Sequence, residues 1–560
     1  MNTYKQLLYT LLLLLLAANL NAAPVILYSD LTSAPNQGWS SVNPDRGAVV
    51  TIWGHGFGET GRGNSFVTVN GININTDNDF AEPWGERKPN PHIQKISFHL
   101  NNAIPLGAGT ISATVGGMRS NAVPFHVNNS KIYFADATSS TIGDGTIISP
   151  WKDMMSFLRI AQPGDVIYLR AGIFSEKIDG GQETFYIRNG VHGTSRSPIG
   201  MVGYPNETAV VDALTTKTDL KRTAIHIKNN WYTFSKLQVN ADQMAIYANG
   251  VGIRVIGNDT IGVKTAQFGA AAIVTSKDYA KVLGNSVHGG RSANRLDHGI
   301  YITGCSPIEG TEVAYNYMYD NNVAEGPIIV VNHQKGRCSP SVYLKSHYIH
   351  SNFIDCTNYR SKAIGIYDQS WDGGDETEPE PTYVYNNISI SCGIDRNWPA
   401  MYQTSAHVEW YNNVVYDSRG VGLELAGSRG ISSKVKNNIF HLTRNWEYVR
   451  HINGGTAEIE NNVYWGSTGN LTAPGSIDAN AIFSDPGILA NTLNASITVN
   501  ETMFGIGVLD PGVIAVVTQD YNGNDRPGIS ISVGALESNS IAASLVNKPL
   551  APSNFSVILD

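Results

Sequence analysis

Between about Gly250 and Tyr464 the chain keeps returning to an asparagine set among short apolar runs: Asn258, Asn285, Asn316, Asn352, Asn387, Asn413, Asn438 and Asn462. The gaps are 27, 31, 36, 35, 26, 25 and 24 residues, so a floor near 24 is lengthened by insertions in the middle. A repeat of this size marks stacked units, none of which can bury its hydrophobic face alone. Each unit also holds a second apolar run, among them AAIVT at Ala271, GIYIT at Gly299, PIIVV at Pro327, AIGIY at Ala363, AMYQT at Ala400, VGLEL at Val421 and YVRHI at Tyr448. These runs are short, rich in Ile, Val and Tyr, and bounded by Gly, Asn, Asp or Pro, which reads as strands. Two or three short strands per turn of about 24 residues predict an all-β fold, a parallel β-helix. Asparagine suits its corners, because it tolerates the left-handed backbone of a tight turn and can stack coil on coil.

Charged residues are 15% of 560 and glycines number 56, which fits a turn-rich all-β protein. Met1 to Gln6 carries Lys5, Leu7 to Leu16 is almost wholly apolar, and Leu20-Asn-Ala22 offers a cleavage site. Residues 1–22 therefore read as a signal peptide, its apolar core too short to span a membrane. This predicts a secreted, periplasmic or surface protein with no membrane span. A net charge of −8 argues against a nucleic-acid binder.

Residues 23–128 follow a different grammar. AVVTIWGHGFG from Ala48, FVTVNG from Phe66, KISFHL from Lys95, TISATVGG from Thr110 and AVPFHV from Ala122 alternate apolar and polar residues between Gly, Asn and Pro turns. This predicts a small antiparallel sandwich, able to fold alone and dispensable for turnover. Trp84, in a loop, reads either as a sugar platform or as packing within its own unit. From Pro44 through Gly54-His-Gly-Phe-Gly58 to Ser120-Asn-x-x-Pro-Phe-x-Val127 the segment resembles the IPT/TIG immunoglobulin-like domain, which implies a fold and says little of function.

The second unit runs from 131 to 537, followed by a tail of 538–560. Ser149 and Pro150 offer an N-cap and a first helical position for an amphipathic run from Trp151 to Ile160, which would close the open end of the solenoid. After it come Pro163-Gly-Asp-x-Ile-Tyr-Leu-Arg-x-Gly-x-Phe174 and Pro198-Ile-x-x-x-Gly-Tyr-Pro205. Helix and motifs together resemble the first coils of the pectate-lyase-like right-handed parallel β-helix superfamily, particularly its chondroitinase B and alginate lyase branch. Ser484 to Leu489 and Asp520 to Glu537 resemble the closing segment of such proteins. The resemblance implies a carbohydrate-active enzyme, a polysaccharide lyase first and a glycoside hydrolase second, with a non-enzymatic glycan-binding surface protein as the third reading. The Lys and Arg motifs of chondroitinase B-like enzymes and the clustered Asp pattern of calcium-dependent pectate lyases find no match here, so no catalytic residue is carried over.

The residues themselves point to the middle of the chain, where the longest insertions lie, since insertions in a solenoid project from one face and build its site. Between Lys281 and Lys362 there are eight Lys or Arg residues against six acids, a local excess that suits an anionic polysaccharide. Elimination from a uronate needs its carboxylate neutralised, a base for the C5 proton and an acid for the departing oxygen. Arg295, His298, Tyr301, Lys335 and Lys362 are the expected catalytic groups, with Arg291, His333, Arg337, Tyr367 and Trp371 binding substrate. On its strand Tyr301 should face outward, between inward Ile300 and Ile302. The acidic run from Asp368 to Glu380 reads as a solvated loop, a carboxylate pair for hydrolysis, or a Ca²⁺ site through Asp368, Asp372 and Asp375. Four cysteines allow three pairings, of which Cys305–Cys338 with Cys356–Cys392 would tie neighbouring coils. The expected partner is an acidic polysaccharide, met by a monomer.

Overall fold

The computed structural model describes residues 23–61, 63–140, 142–175, 183–188, 190–214, 223–262, 271–292, 297–304, 308–323, 326–333, 345–368, 380–395, 397–426, 432–442, 444, 446–452, 456–467, 478, 480–492, 496–526 and 531–537, with backbone alone at 291, 292, 333 and 368. Residues 1–22, read above as a signal peptide, and the tail 538–560 lie outside the described residues.

The repeats of the sequence become three parallel sheets, of twelve, eleven and ten strands among the described residues, which together form a right-handed parallel β-helix. One coil shows the pattern: Lys281–Leu283 belongs to the first sheet, Ser286–His288 to the second and His298–Gly304 to the third. All seven second apolar runs fall on the third sheet. Val282, Val287, Ile300 and Ile302 from this coil are each at most 1% exposed and join one core running the length of the solenoid.

The eight asparagines stand at the corner between the first and second sheets, and the carboxamides form a ladder. Asn316 donates from Nδ2 to the Asn352 Oδ1 at 2.9 Å and to the Val282 carbonyl at 2.9 Å, while its backbone N–H reaches the same Oδ1 at 3.1 Å. The arrangement repeats from Asn258 to Asn462, where Asp478 ends it by accepting from the Asn462 backbone and side chain and from the Tyr464 hydroxyl. The left-handed conformation belongs to the residue before each ladder position, such as Gly284, Tyr315, Ser351, Asn386 and Asn412, and not to the ladder asparagine. Turning is done by one residue so that the next can aim its amide inward, where every donor and acceptor must be matched.

The amino-terminal unit is two sheets packed face to face. Val25–Ser29, Arg46–His55 and Gln94–Asn101 form one; Ser33–Pro35, Val123–Asn128, Gly107–Val115, Phe66–Val69 and Ile72–Ile74 form the other, antiparallel apart from the Ser33–Pro35 pairing. Trp84 is buried within this unit, its indole N–H donating to the Phe57 carbonyl. The sandwich lies on the outer face of the twelve-stranded sheet. Tyr168 of the solenoid exchanges hydrogen bonds with both backbone groups of Val49, at 2.7 and 2.9 Å, and Trp39 packs edge-on against Phe134 and Tyr168. Farther along, Tyr28, Trp53 and Ile93 bury Ile256, Leu283 and Ala314.

The capping helix is shorter than the sequence suggests, Met155–Ile160. Trp151 is drawn into a bridge with Ala135, and Asp153 then caps the turn by accepting from the N–H groups of Met155 and Ser156, so Ser149 and Pro150 precede the helix. At the other end residues 488–492, 496–526 and 531–536 fold back over the eleven-stranded sheet, burying Phe353, Ile388, Val414 and Ile439 against Ile488, Ile497, Met503, Tyr521 and Val533. The Cys356–Cys392 disulfide ties successive coils of that sheet; Cys305 and Cys338 lie outside the described residues.

Candidate functional site

Among the described residues, the chain itself covers the outer faces of the twelve- and eleven-stranded sheets and not that of the ten-stranded sheet, which makes the latter the candidate face for a ligand. Its alternation is sharp where Ile300, Ile329, Val331, Ile364 and Ile366 point inward, at most 1% exposed, while Tyr301, Asn332 and Tyr367 are half-buried on the other side.

Parallel register brings together residues far apart in sequence. Tyr301 stands beside Val330, then Gly365, then Tyr402 on successive coils; Thr303 stands beside Asn332, Tyr367 and Thr404. His298 begins its strand, two residues before Ile300, and its Nδ1 meets the carbonyl of Pro327 on the next coil at 2.9 Å. Pro327 in turn pairs with Lys362. Since a carbonyl only accepts, Nδ1 carries the proton and the neutral ring keeps its lone pair on Nε2. Burial pushes His298 down to about 4, the Pro327 carbonyl opposes this, and the charge of Lys362 pushes down further. The ring is therefore neutral at neutral pH.

The His298 and Tyr301 rings are 5.1 Å apart between centroids. Asn332 donates from Nδ2 to the Tyr301 hydroxyl at 3.3 Å, while its own Oδ1 is buried without a hydrogen-bond partner among the described residues. Lys362 is buried, its ammonium 4.1 Å from the Trp398 ring centroid and 4.6 Å from that of Tyr402, a cation–π seat. Tyr402 meets Tyr367 edge-on at 4.8 Å, and its hydroxyl is a second buried group without a hydrogen-bond partner among the described residues. Gly365 is required under it: a Cβ there would come within 2.7 Å of the Tyr402 ring.

Of the expected site residues, Tyr301 and Tyr367 stand on this face, while His298 and Lys362, buried at the first positions of their strands, reach it through their contacts with Tyr301 and Tyr402. His333 and Asp368 pair in register beyond Gly304, and Arg291 pairs with Asn322, with backbone alone described for the three. Arg295, Lys335, Arg337, Trp371, Asp372 and Asp375 lie outside the described residues, and with them most of the proposed Ca²⁺ ligand set. Among the described residues no group of three His, Cys, Asp or Glu side chains gathers to hold a metal. Sequence reading misses Asn332, Trp398 and Tyr402. The alternation along AMYQT marks Tyr402 as outward, but only register shows that it reaches back over Gly365 to Lys362.

Residues 132–301 match the family model of the Pel9A-like right handed beta helix region, so the resemblance to pectate-lyase-like β-helices stands for the first part of the solenoid. None of the curated proteins compared with the chain matches it. Among solved structures the chain is similar to pectate lyase Pel9A, at 11% identity with a TM-score of 0.47 over 73% of this chain and 96% of that one. It is also similar to XylC in complex with xylose, at 10% identity and 0.43 over 72% and 98%, and to a rhamnogalacturonan lyase, at 13% and 0.34 over 73% and 97%.

Proposed function

We propose that the chain is a secreted polysaccharide lyase that cleaves an acidic, uronate-containing glycan by β-elimination on the open sheet. The observation that carries this reading is a neutral histidine beside a phenol, with a buried ammonium at the same register two coils on: His298, Tyr301 and Lys362. In the elimination the C5–H bond breaks, its electrons form the C4–C5 double bond, and the C4–O bond breaks as the leaving oxygen takes a proton.

The three groups divide that work. Lys362, seated over two rings, sits against the uronate carboxylate and stabilises the charge that builds there when C5 is deprotonated. His298 accepts the C5 proton at Nε2, oriented by the Pro327 carbonyl. Tyr301 gives its proton to the leaving oxygen, and the Asn332 amide stabilises the phenolate left behind.

Glycoside hydrolysis needs two carboxyl groups roughly 5–9.5 Å apart across the bond. On the described outer face of this sheet Glu183 is held by His226 and Glu424 by Arg450, and their strands are eight coil steps apart, roughly 38 Å at 4.8 Å per coil. Elimination fits this arrangement better. The test is incubation with pectate, alginate and glycosaminoglycans, read for unsaturated uronate ends.

A further inference from the structure

The Cys356–Cys392 disulfide sits at the corner between the second and third sheets, on two successive coils. Cys356 follows the strand Phe353–Asp355 and precedes Lys362 by six residues; Cys392 follows Ile388–Ile390 and precedes Trp398 by six. The disulfide and the contact of Lys362 with Trp398 therefore join the same two segments, each linking residues 36 apart. Between these two links the segments are bonded again, the Gly393 N–H donating to the Ser361 carbonyl at 2.9 Å. Just beyond them the Ala363 N–H donates to the Ala400 carbonyl at 2.7 Å.

The second segment is shaped to carry Trp398 back over its neighbour. Gly393 turns the chain in the left-handed region, at φ +83°. The Ile394 N–H then donates to the Trp398 carbonyl at 2.9 Å and the Trp398 N–H to the Asp395 carbonyl at 3.2 Å, which closes a small loop. Asp395 Oδ1 secures it by accepting from the Asn397 N–H at 2.8 Å. The half-buried indole ends 4.1 Å from the Lys362 ammonium, and Tyr402 of the same coil meets that ammonium at 4.6 Å. Such attraction needs the cation within about 6 Å of the ring, whereas corner loops with few buried apolar contacts open more readily than core strands. A covalent tie at the root of both segments restricts that opening.

We propose that Cys356, Cys392 and Trp398 are positioning residues, a disulfide-rooted clamp that holds the Lys362 ammonium at the open sheet. The use of Lys362 in turnover rests on the lyase reading; the clamp itself does not, and the experiment separates the two. Wild type, C356A/C392A, Trp398→Leu, Trp398→Phe and the C356A/C392A/W398L combination are prepared as full chains, with circular dichroism confirming the fold. Acetylation of Lys362 by acetic anhydride is followed by peptide mass spectrometry, with Lys88, whose side chain is 82% exposed, as the control. Turnover is measured on polygalacturonate and alginate. The expected result is that Lys362 labels severalfold faster in C356A/C392A and in Trp398→Leu while Lys88 is unchanged, and that kcat falls roughly tenfold or more, with KM altered less. Trp398→Phe, which keeps a ring, recovers most of the loss, and removing the disulfide from Trp398→Leu adds little, because both act through Lys362. A folded C356A/C392A protein whose Lys362 labels at the wild-type rate overturns the clamp, as does a kcat loss of the same factor with and without Trp398. Should C356A/C392A not fold, equal labelling of Lys362 in Trp398→Leu and Trp398→Phe overturns it instead. Faster Lys362 labelling in the variants of a wild type that cleaves neither glycan upholds the clamp and removes the lyase reading for these uronates.

Discussion

His298 donates its Nδ1 proton to the carbonyl of Pro327, one coil farther along, at 2.9 Å. That bond fixes the tautomer and leaves Nε2 as the only basic position of the ring. With the ring pushed down to about 4 by burial and by Lys362, the basic form dominates above that pH. The acid limb of kcat/KM should fall near pH 4 and not near 6.5, the ordinary histidine value. An acid limb at about 6.5 would remove His298 as the base.

The asparagine ladder makes a stability prediction. Asn352 accepts from the backbone and side chain of Asn316 and donates to Val313 and Asn387, all buried. Asn352→Ala leaves several of these groups unmatched and should cost about 3 kcal/mol or more. Chemical denaturation of the variant reads this directly, and a loss below about 1 kcal/mol would show that the ladder is ornamental.

Tyr168 tests the union of sandwich and solenoid. Tyr168→Phe strands the N–H and carbonyl of Val49 in a buried interface and should destabilise the protein by roughly 1–3 kcal/mol. Deleting residues 23–128 should be worse, because it uncovers Tyr168, Ile256 and Leu283 together. A truncated solenoid that stays soluble with an unchanged Tm would contradict this.

Acid should loosen the same unit. Burial lowers His55 to about 3 and His99 to about 4, and burial also pushes His92 well below its usual value. The unfolded chain therefore binds more protons than the folded one between those values and about 6.5. Stability from these rings is full above about pH 6.5 and drains away as pH falls toward 4, by about 2 kcal/mol per ring at pH 5. His92→Gln should lose part of the decline in Tm between pH 7 and pH 5. An identical decline in the variant would contradict this.

The sequence carried the solenoid because its repeat is a packing constraint: every ladder asparagine and every inward Ile or Val recurs coil by coil, so the strands of the third sheet are visible from Ala271 to Tyr448. Tyr301 was legible for the same reason, as the odd residue between two inward isoleucines. Tyr402 and Asn332 were not, since their roles depend on which residue stands one coil away, and insertions of unequal length conceal that register. The capping helix was overdrawn because Trp151 is claimed by Ala135, a tertiary contact no local signal announces. The contact between sandwich and solenoid was not legible, because alternation within the sandwich strands says nothing of the face presented to Tyr168.

The most direct test of the account is the chemistry of the new chain end. Wild type, His298→Ala and Tyr301→Phe are incubated with pectate, alginate and glycosaminoglycans, and products are followed by ultraviolet absorbance of the C4–C5 double bond alongside total new ends. The account predicts unsaturated ends in step with new reducing ends for the wild type, and a loss of kcat on the order of 10² or more in each variant with the fold intact. New reducing ends without unsaturation, or glycan bound and never shortened, would contradict it.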